Sequence, residues 1–289
     1  MKPELLQEGV LCQLKMGRWD ARVRLPKSKF GKELPTEIVR GMQDVIDDRT
    51  LLKDLATIRR SAKGLLQRSS LPFPVDGVFW VPKEKVPELD DAFNEFKQEK
   101  DNRLKKLIKN IGKMKTKFKS RYPDFYEEKY YPSTSKLESK FYFYWNFFQM
   151  SIPDKEAGIL SPEMVRRETA KLKGMVKDME TMTLNLVGNM LFKRVNKLAK
   201  QCDNEKINGG TVASIDRFIE RWDDLWRDHV DQKQLKMIMS RLKKEMKTAT
   251  ADRLKDNESF REDMQGNLEK LMTKLKAVPD FKLKRKLDI

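Results

Sequence analysis

The chain has 289 residues, of which 36% are charged, and its formal net charge at pH 7 is +17. This length allows one or two domains with a sizeable core, and the regular recurrence of apolar residues excludes a disordered chain. Two cysteines exclude a disulfide framework, and neither a signal peptide nor a run of 18 apolar residues occurs, so we expect a cytoplasmic protein without a stable membrane span.

The N-terminal quarter contains both the two-residue alternation of strands and the three- and four-residue spacing of helices. Apolar and polar residues alternate over 9–16, which predicts a strand with one buried face. The alternation resumes at 21–25 and favours the second strand of a hairpin. Apolar residues at steps of three and four then predict a helix over about 36–68, which a break near 47–50 would split in two.

The middle of the chain carries a short strand and a long basic helix. The segment GVFWVP is bounded by glycine and proline, which predicts a strand at 78–81. A single apolar stripe then predicts a helix over 84–120, in which only Lys100 occupies an expected apolar position. Residues 97–121 include eleven lysines and arginines against two acidic residues, so this helix has a strongly basic surface.

The stretch FYFYWNFFQM, residues 141–150, holds seven aromatic rings in ten positions. A helix would distribute these rings around its whole circumference, whereas a strand sorts them into two faces. The first face has Phe141, Phe143, Trp145 and Phe147, and the second has Tyr142, Tyr144, Asn146 and Phe148. We therefore predict a strand that pairs with 9–16 and also with 78–81.

Three interpretations of the ring stretch differ in what covers it. The structural interpretation buries one face completely and covers the other. A stacking platform for nucleic acid normally interleaves rings with basic residues, and here Lys140 only precedes them. A membrane-inserting tongue, as in helical pore-forming proteins, is normally richer in small and aliphatic residues.

The C-terminal half is predicted to be helical. Ser161 is the expected N-cap of a helix that extends to about 201, and further helices are predicted over 211–230, 232–247 and 251–276. The predicted fold is mainly α with a small antiparallel β-sheet (α+β), in which long helices form an elongated bundle. We expect a mixed part over 1–160 and a helical part over 161–289 that pack as one unit.

Few residues suggest catalysis. His229 is the only histidine, and Asp224 and Asp228 accompany it at helical spacing, which is a weak pattern for a metal site. Asp44, Asp47 and Asp48 cluster near a predicted helix end and provide carboxylates that Mg²⁺ could use. No phosphate-binding glycine loop occurs, so we expect no cofactor and no enzyme activity.

Four segments together resemble a known family. They are LQEGVLCQLKMGRWDARVRL, LPFPVDGVFWVPKEKVPEL, SKFYFYWNFFQMSIP and ASIDRFIERWDDLW, in this order. They are similar to the uncharacterised bacterial and phage family called domain of unknown function 3150, over most of the chain. The resemblance implies no catalytic residues. It implies a phage-encoded accessory role beside a ring-forming AAA+ ATPase of the MoxR type, which would supply any ATP hydrolysis.

The leading functional hypothesis is a non-enzymatic helical scaffold that works in a multi-protein assembly or by self-association, with the outward rings of Tyr142, Tyr144 and Phe148 as the protein contact. The alternative is a nucleic-acid-binding protein that uses basic side chains. These are Lys105, Lys106, Lys109, Lys113, Lys117, Lys119 and Arg121, with Lys284, Arg285 and Lys286 in the tail. A pore-forming protein and a Mg²⁺-dependent hydrolase are further alternatives.

Overall fold

A computed structural model describes residues 6–24, 41–151, 161–230 and 232–283. The fold is α+β, with long helices and short strands. The strands are β1 (Gly9–Met16), β2 (Arg22–Arg24), β3 (Met42–Asp44), β4 (Leu71–Pro72), β5 (Val78–Pro82) and β6 (Phe143–Phe148). The helices are α1 (Thr50–Arg68), α2 (Val86–Arg121), α3 (Thr134–Lys140), α4 (Pro162–Asp203), α5 (Gly209–Arg221), α6 (Lys233–Met246), α7 (Ala251–Asp256) and α8 (Glu258–Lys276).

The strands form a four-stranded sheet in the order β4-β5-β1-β6 and a two-stranded sheet of β2 with β3. The predicted strands at 9–16, 78–81 and 141–150 are confirmed, and so is the pairing of the ring-rich strand with β1. The additional pairing of that strand with 78–81 is wrong, because β5 lies on the other side of β1. β1 is therefore the central strand that separates them.

The predicted hairpin of 9–16 with 21–25 is also wrong. β2 does form, but it pairs antiparallel with β3, where Val23 lies opposite Gln43. Between β1 and β2, Ala21 adopts a positive φ of 50° and its carbonyl accepts a hydrogen bond from the Val45 N–H. This link directs the chain toward β3 rather than back along β1.

The helix predicted over 36–68 is only partly correct. Its second half is α1, which begins at Thr50, within the predicted break. Asp48 accepts a hydrogen bond from the Thr50 N–H at 2.9 Å and so satisfies one free donor of the first turn. Residues 42–44 form a strand instead, and 36–40 lie outside the described residues.

The described residues cluster into two compact units. Of the described residues, unit 1 comprises 6–11, 68–83, 148–151, 161–230 and 232–283, and unit 2 comprises 12–24, 41–67 and 84–147. The chain thus leaves unit 1 within β1, returns to it for 68–83, leaves it again for 84–147 and finally returns at the end of β6. The units do not follow a single boundary near residue 160, because segments distant in sequence supply the strands of each unit.

Unit 1 is built on α4, which packs against α5 and α8 and contributes many buried apolar side chains. The Ser161 hydroxyl accepts a hydrogen bond from the Met164 N–H at 3.3 Å, which confirms the predicted N-cap. Within the helix predicted over 211–230, α5 ends at Arg221 and a π-helical turn follows at Trp222–Trp226. The one predicted over 251–276 is divided at Asn257, which caps α8.

Unit 2 is built on α2, which the apolar stripe predicted correctly. Phe93 is fully buried, and its ring contacts those of Phe143 and Trp145 at centroid distances of 6.3 and 5.4 Å. An apolar cluster around Leu55 and Leu107 joins the inner faces of α1 and α2. The inner face of β6 thus packs against the N-terminal part of the apolar stripe of α2.

Candidate functional site

The ring-rich strand β6 separates its side chains into a buried face and an exposed face, as predicted. On the inner face, Phe143 is buried and the Trp145 indole donates a hydrogen bond to the Asp90 carboxylate at 2.7 Å. On the outer face, Tyr142, Tyr144 and Phe148 are 48%, 44% and 39% exposed. The structural interpretation predicted that other parts of the chain cover the outer face. Among the described residues, this prediction is wrong.

The first ring of the outer pair packs against Gly17, the residue that follows β1. The Gly17 N–H donates a hydrogen bond to the Tyr142 carbonyl at 2.9 Å, and a Cβ added at Gly17 would lie 2.5 Å from the Tyr142 ring. The ring therefore lies against the glycine, while its centroid is 5.7 Å from that of Tyr144. The Gly17 backbone thus supports the Tyr142 ring, and both tyrosine side chains remain partly exposed.

β6 is also an edge strand. Among the described residues it pairs only with β1, at the end of the sheet order. An edge strand presents unpaired N–H and C=O groups that can pair with another extended chain. Exposed rings and free backbone groups thus occur on the same strand.

The structure divides the predicted basic surface of α2 into two parts. Lys105, Lys106, Lys109 and Lys113 are exposed, and no carboxylate of the described residues pairs with them. Residues 102–121 contain no acidic residue at all. Like charges at a spacing of four residues destabilise a helix by about 0.2–0.5 kcal/mol per pair. No acidic side chain on this part of α2 offsets that repulsion between the lysines.

The C-terminal end of α2 is compensated by neighbouring groups. Lys117 and Arg121 approach the Asp47 carboxylate at 3.3 and 3.7 Å, and the Lys119 ammonium lies 5.3 Å from the centre of the Tyr126 ring. These three cations have structural partners in unit 2. The predicted tail residues Lys284, Arg285 and Lys286 lie outside the described residues.

The three carboxylates proposed for Mg²⁺ do not converge on one point. Asp44 contacts two arginines, Asp47 faces α2, and Asp48 accepts the hydrogen bond that begins α1. Over the ranges that the structure describes, no group of three acidic, histidine or cysteine residues is arranged to hold a metal. The pattern at 44–48 is therefore corrected from a metal site to a set of helix-end and arginine contacts.

His229 is likewise not part of a metal cluster in the described part of the chain. Its ring packs edge-on against Trp80 with a centroid distance of 4.9 Å, and Asp228 contacts Arg227 at 3.3 Å. Burial raises the pKa of the Cys12 thiol to about 12 and also raises that of Cys202. Both thiols are therefore protonated near neutral pH and are poor nucleophiles.

Unit 2 also contains a basic cavity that the sequence patterns did not predict. Its volume is about 290 Å³, and its wall includes six cationic side chains beside aromatic rings. The cations are Arg18, Arg22, Arg49, Lys53, Arg59 and Lys100. They come from three segments that are distant in sequence, around 18–22, 49–59 and residue 100. Only Lys100 gave a signal in the sequence, because it interrupts the apolar stripe of α2.

The family model described as "Protein of unknown function (DUF3150)" matches residues 6–198, which is more than half of the chain. The chain belongs to this family. The match includes β6 and α2 as well as all the residues around the basic cavity. No curated protein and no solved structure matches the chain.

No helix among the described residues is long and apolar enough to cross a membrane. The longest, α4, places glutamate, lysine and arginine side chains at intervals along its length.

Proposed function

We propose that the chain is a non-enzymatic binding protein whose principal contact is the outer ring face of β6, formed by Tyr142 and Tyr144. The observation that carries this proposal is the exposure of two neighbouring tyrosine rings, Tyr144 on the edge strand β6 and Tyr142 just before it. Tyrosine is enriched among the residues that dominate binding energy at interfaces, because it buries a large area and loses little conformational freedom.

The proposed partner is an acidic, extended segment of another protein that adds to β6 as a strand. The edge position supports strand addition, since main-chain hydrogen bonds then provide affinity and the rings provide specificity. The net charge of +17 favours an acidic partner over a second copy of this chain, because two copies would repel each other. A MoxR-type ATPase, implied by the family resemblance, is the first candidate. A cytoplasmic role is supported by the free thiols Cys12 and Cys202.

Site-specific photo-crosslinking tests this contact. A photoreactive phenylalanine analogue at position 144 is expected to crosslink in host lysate to one acidic segment of one protein, identified by mass spectrometry. The same analogue at Phe125, an exposed ring of unit 2 that lies outside β6, is the matched control. Crosslinks from both positions to the same proteins would contradict the proposal.

The affinity of the identified partner provides a second measurement. Tyr144→Ser is expected to weaken binding by about 30-fold, which corresponds to a hot-spot loss of about 2 kcal/mol. Phe125→Ser should leave the affinity nearly unchanged. Because Tyr144 is 44% exposed, the melting temperature should also change little. A large decrease in melting temperature would show that the ring is part of the core.

A second candidate function, nucleic-acid binding, is supported by the uncompensated lysines on α2. Lys106, Lys109 and Lys113 follow one another at steps of three and four residues, so they lie on the same side of the helix. Such a row faces solvent without acidic neighbours on the helix, which is the arrangement that phosphate contacts use.

A salt series in a gel-shift assay tests this candidate. If three lysines contact single-stranded DNA, their replacement by glutamine should lower the slope of log affinity against log salt by about 2. The matched control replaces three exposed lysines outside α2: Lys173, Lys177 and Lys244. Equal losses for both triple variants, or no binding at low salt, would exclude a specific nucleic-acid face on α2.

A further inference from the structure

The basic cavity of unit 2 lies along one side of α1. Lys53 and Arg59 reach it from this helix and Arg49 from the position just before it, while Arg18 and Arg22 come from the segment that leads from β1 into β2. The side chain of Lys100, from α2, is only 14% exposed there. The cavity thus collects cations from segments that are remote in sequence.

The cations of the cavity exceed the carboxylates that neutralise them. Asp20 contacts Arg18 at 2.9 Å, Asp44 contacts both Arg22 and Arg49, and Asp101 contacts Lys100 at 2.5 Å. Hydrogen bonds from Thr50 chiefly lower the pKa of Asp48, and the nearby Lys53 ammonium adds a minor contribution. Six cations against these four carboxylates leave an excess of two positive charges.

Two of the cations are free to bind a ligand. Among the described residues, no carboxylate lies within ion-pairing distance of Arg59 or Lys53, although Arg59 is half-buried. The others are already oriented. Arg49 also donates to the Asp20 carbonyl at 2.7 Å, and Lys100 donates to the Phe141 carbonyl at 3.1 Å. A ligand would therefore meet preorganised groups, which lowers the entropy cost of binding.

The remaining wall is apolar and partly aromatic. Leu52, Leu55 and Ile58 contribute from α1, and Trp19 and Phe141 contribute rings. A ligand with one strongly anionic end and one flat organic body would satisfy both parts of the wall. The volume of about 290 Å³ is at the lower end of the range of small-molecule pockets, which excludes large ligands.

We propose that this cavity binds the phosphate monoester of a small planar organic group, represented by a nucleoside monophosphate. A phosphate monoester carries about two negative charges at neutral pH, which matches the excess of cations. Arginine recognises phosphate through paired N–H donors, whereas a carboxylate ligand would neutralise only one charge. This proposal does not depend on the proposed protein contact, although Tyr142 belongs to both the contact and the cavity wall.

Equilibrium dialysis with AMP, inorganic phosphate and adenosine, at constant ionic strength, tests the proposal. AMP is expected to bind saturably and more tightly than phosphate, and adenosine is expected not to bind. Adenosine binding as tightly as AMP would overturn the role of the cations. Phosphate binding as tightly as AMP would overturn the assignment of an organic body. Absence of AMP binding would overturn the site.

Neighbouring arginines on α1 provide a matched pair of variants. Arg59→Met is expected to weaken AMP binding by about 10-fold to 100-fold, the effect of losing one charged hydrogen bond. Arg60→Met should change it by less than about fivefold, because Arg60 is exposed and outside the cavity wall. Equal losses would overturn the proposal. If Arg59→Met folds poorly, Lys53→Gln gives a second test, because Lys53 is exposed and its replacement should not disturb folding. An unchanged AMP affinity of the Lys53→Gln variant would contradict the role of Lys53.

Discussion

The close approach of β1 to the ring-rich strand makes Gly17 a sensitive position. A Cβ added there would lie 2.3 Å from the Lys140 carbonyl oxygen and 2.5 Å from the Tyr142 ring. The ring could rotate away, but the carbonyl belongs to the backbone and cannot move without disturbing the pairing of β1 and β6. We therefore expect Gly17→Ala to destabilise unit 2.

The magnitude follows from three terms. Overpacking costs about 1–3 kcal/mol. Loss of the hydrogen bond from the Gly17 N–H to the Tyr142 carbonyl, now 2.9 Å long, adds about 1 kcal/mol. The lower backbone entropy of alanine in the unfolded chain returns about 0.5–1 kcal/mol. Together these terms predict that the free energy of unfolding falls by about 1–3.5 kcal/mol.

Urea denaturation, followed by circular dichroism and tryptophan fluorescence, measures this change. Gly112→Ala in α2 is the matched control, because the same substitution meets no atom within 4 Å there. In a helix interior it should raise the free energy of unfolding by about 1 kcal/mol. If both substitutions stabilise the protein, Gly17 does not pack closely against Tyr142, and the proposed backbone support of the Tyr142 ring is refuted.

Further predictions concern the core, a cap, the thiols and a carboxylate. Phe93→Ala should lower the free energy of unfolding by about 3–5 kcal/mol, because the ring is fully buried. Ser161→Ala should lower it by about 1 kcal/mol through loss of the N-cap bond. Cys12 and Cys202 should react with iodoacetamide much more slowly in native protein than in urea, because burial raises the pKa of both. The pKa of Asp48 is lowered chiefly by the Thr50 N–H, so its stabilising effect should be present above about pH 4 and decrease as the pH falls.

Each of these predictions has a result that would contradict it. A small effect of Phe93→Ala would mean that β6 does not pack on α2, and an unchanged Ser161→Ala variant would mean that α4 begins elsewhere. Rapid native alkylation would show exposed thiols. For the carboxylate, Asp48→Ala should reduce the acid-dependent loss of stability measured by urea titrations at pH 7 and pH 3, and identical losses in both proteins would contradict the contact.

The sequence patterns determined the elements whose periodicity is local and unbroken. Alternation assigned β1 and β6 as strands and sorted the rings of β6 correctly, because successive side chains of a strand point to opposite faces. The single apolar stripe assigned α2 for the corresponding reason at a period of 3.6 residues. These patterns were reliable because each depends only on neighbours within a few residues.

The tertiary structure alone decided which distant segments meet. It joined β2 to β3 rather than to β1, and turned Asp44 from a candidate metal ligand into a partner of two arginines. It also brought Lys100 beside arginines from other segments to form a basic cavity. Local periodicity carries no information about such pairings, because they depend on how packed elements satisfy charges and hydrogen bonds that lie far apart along the chain.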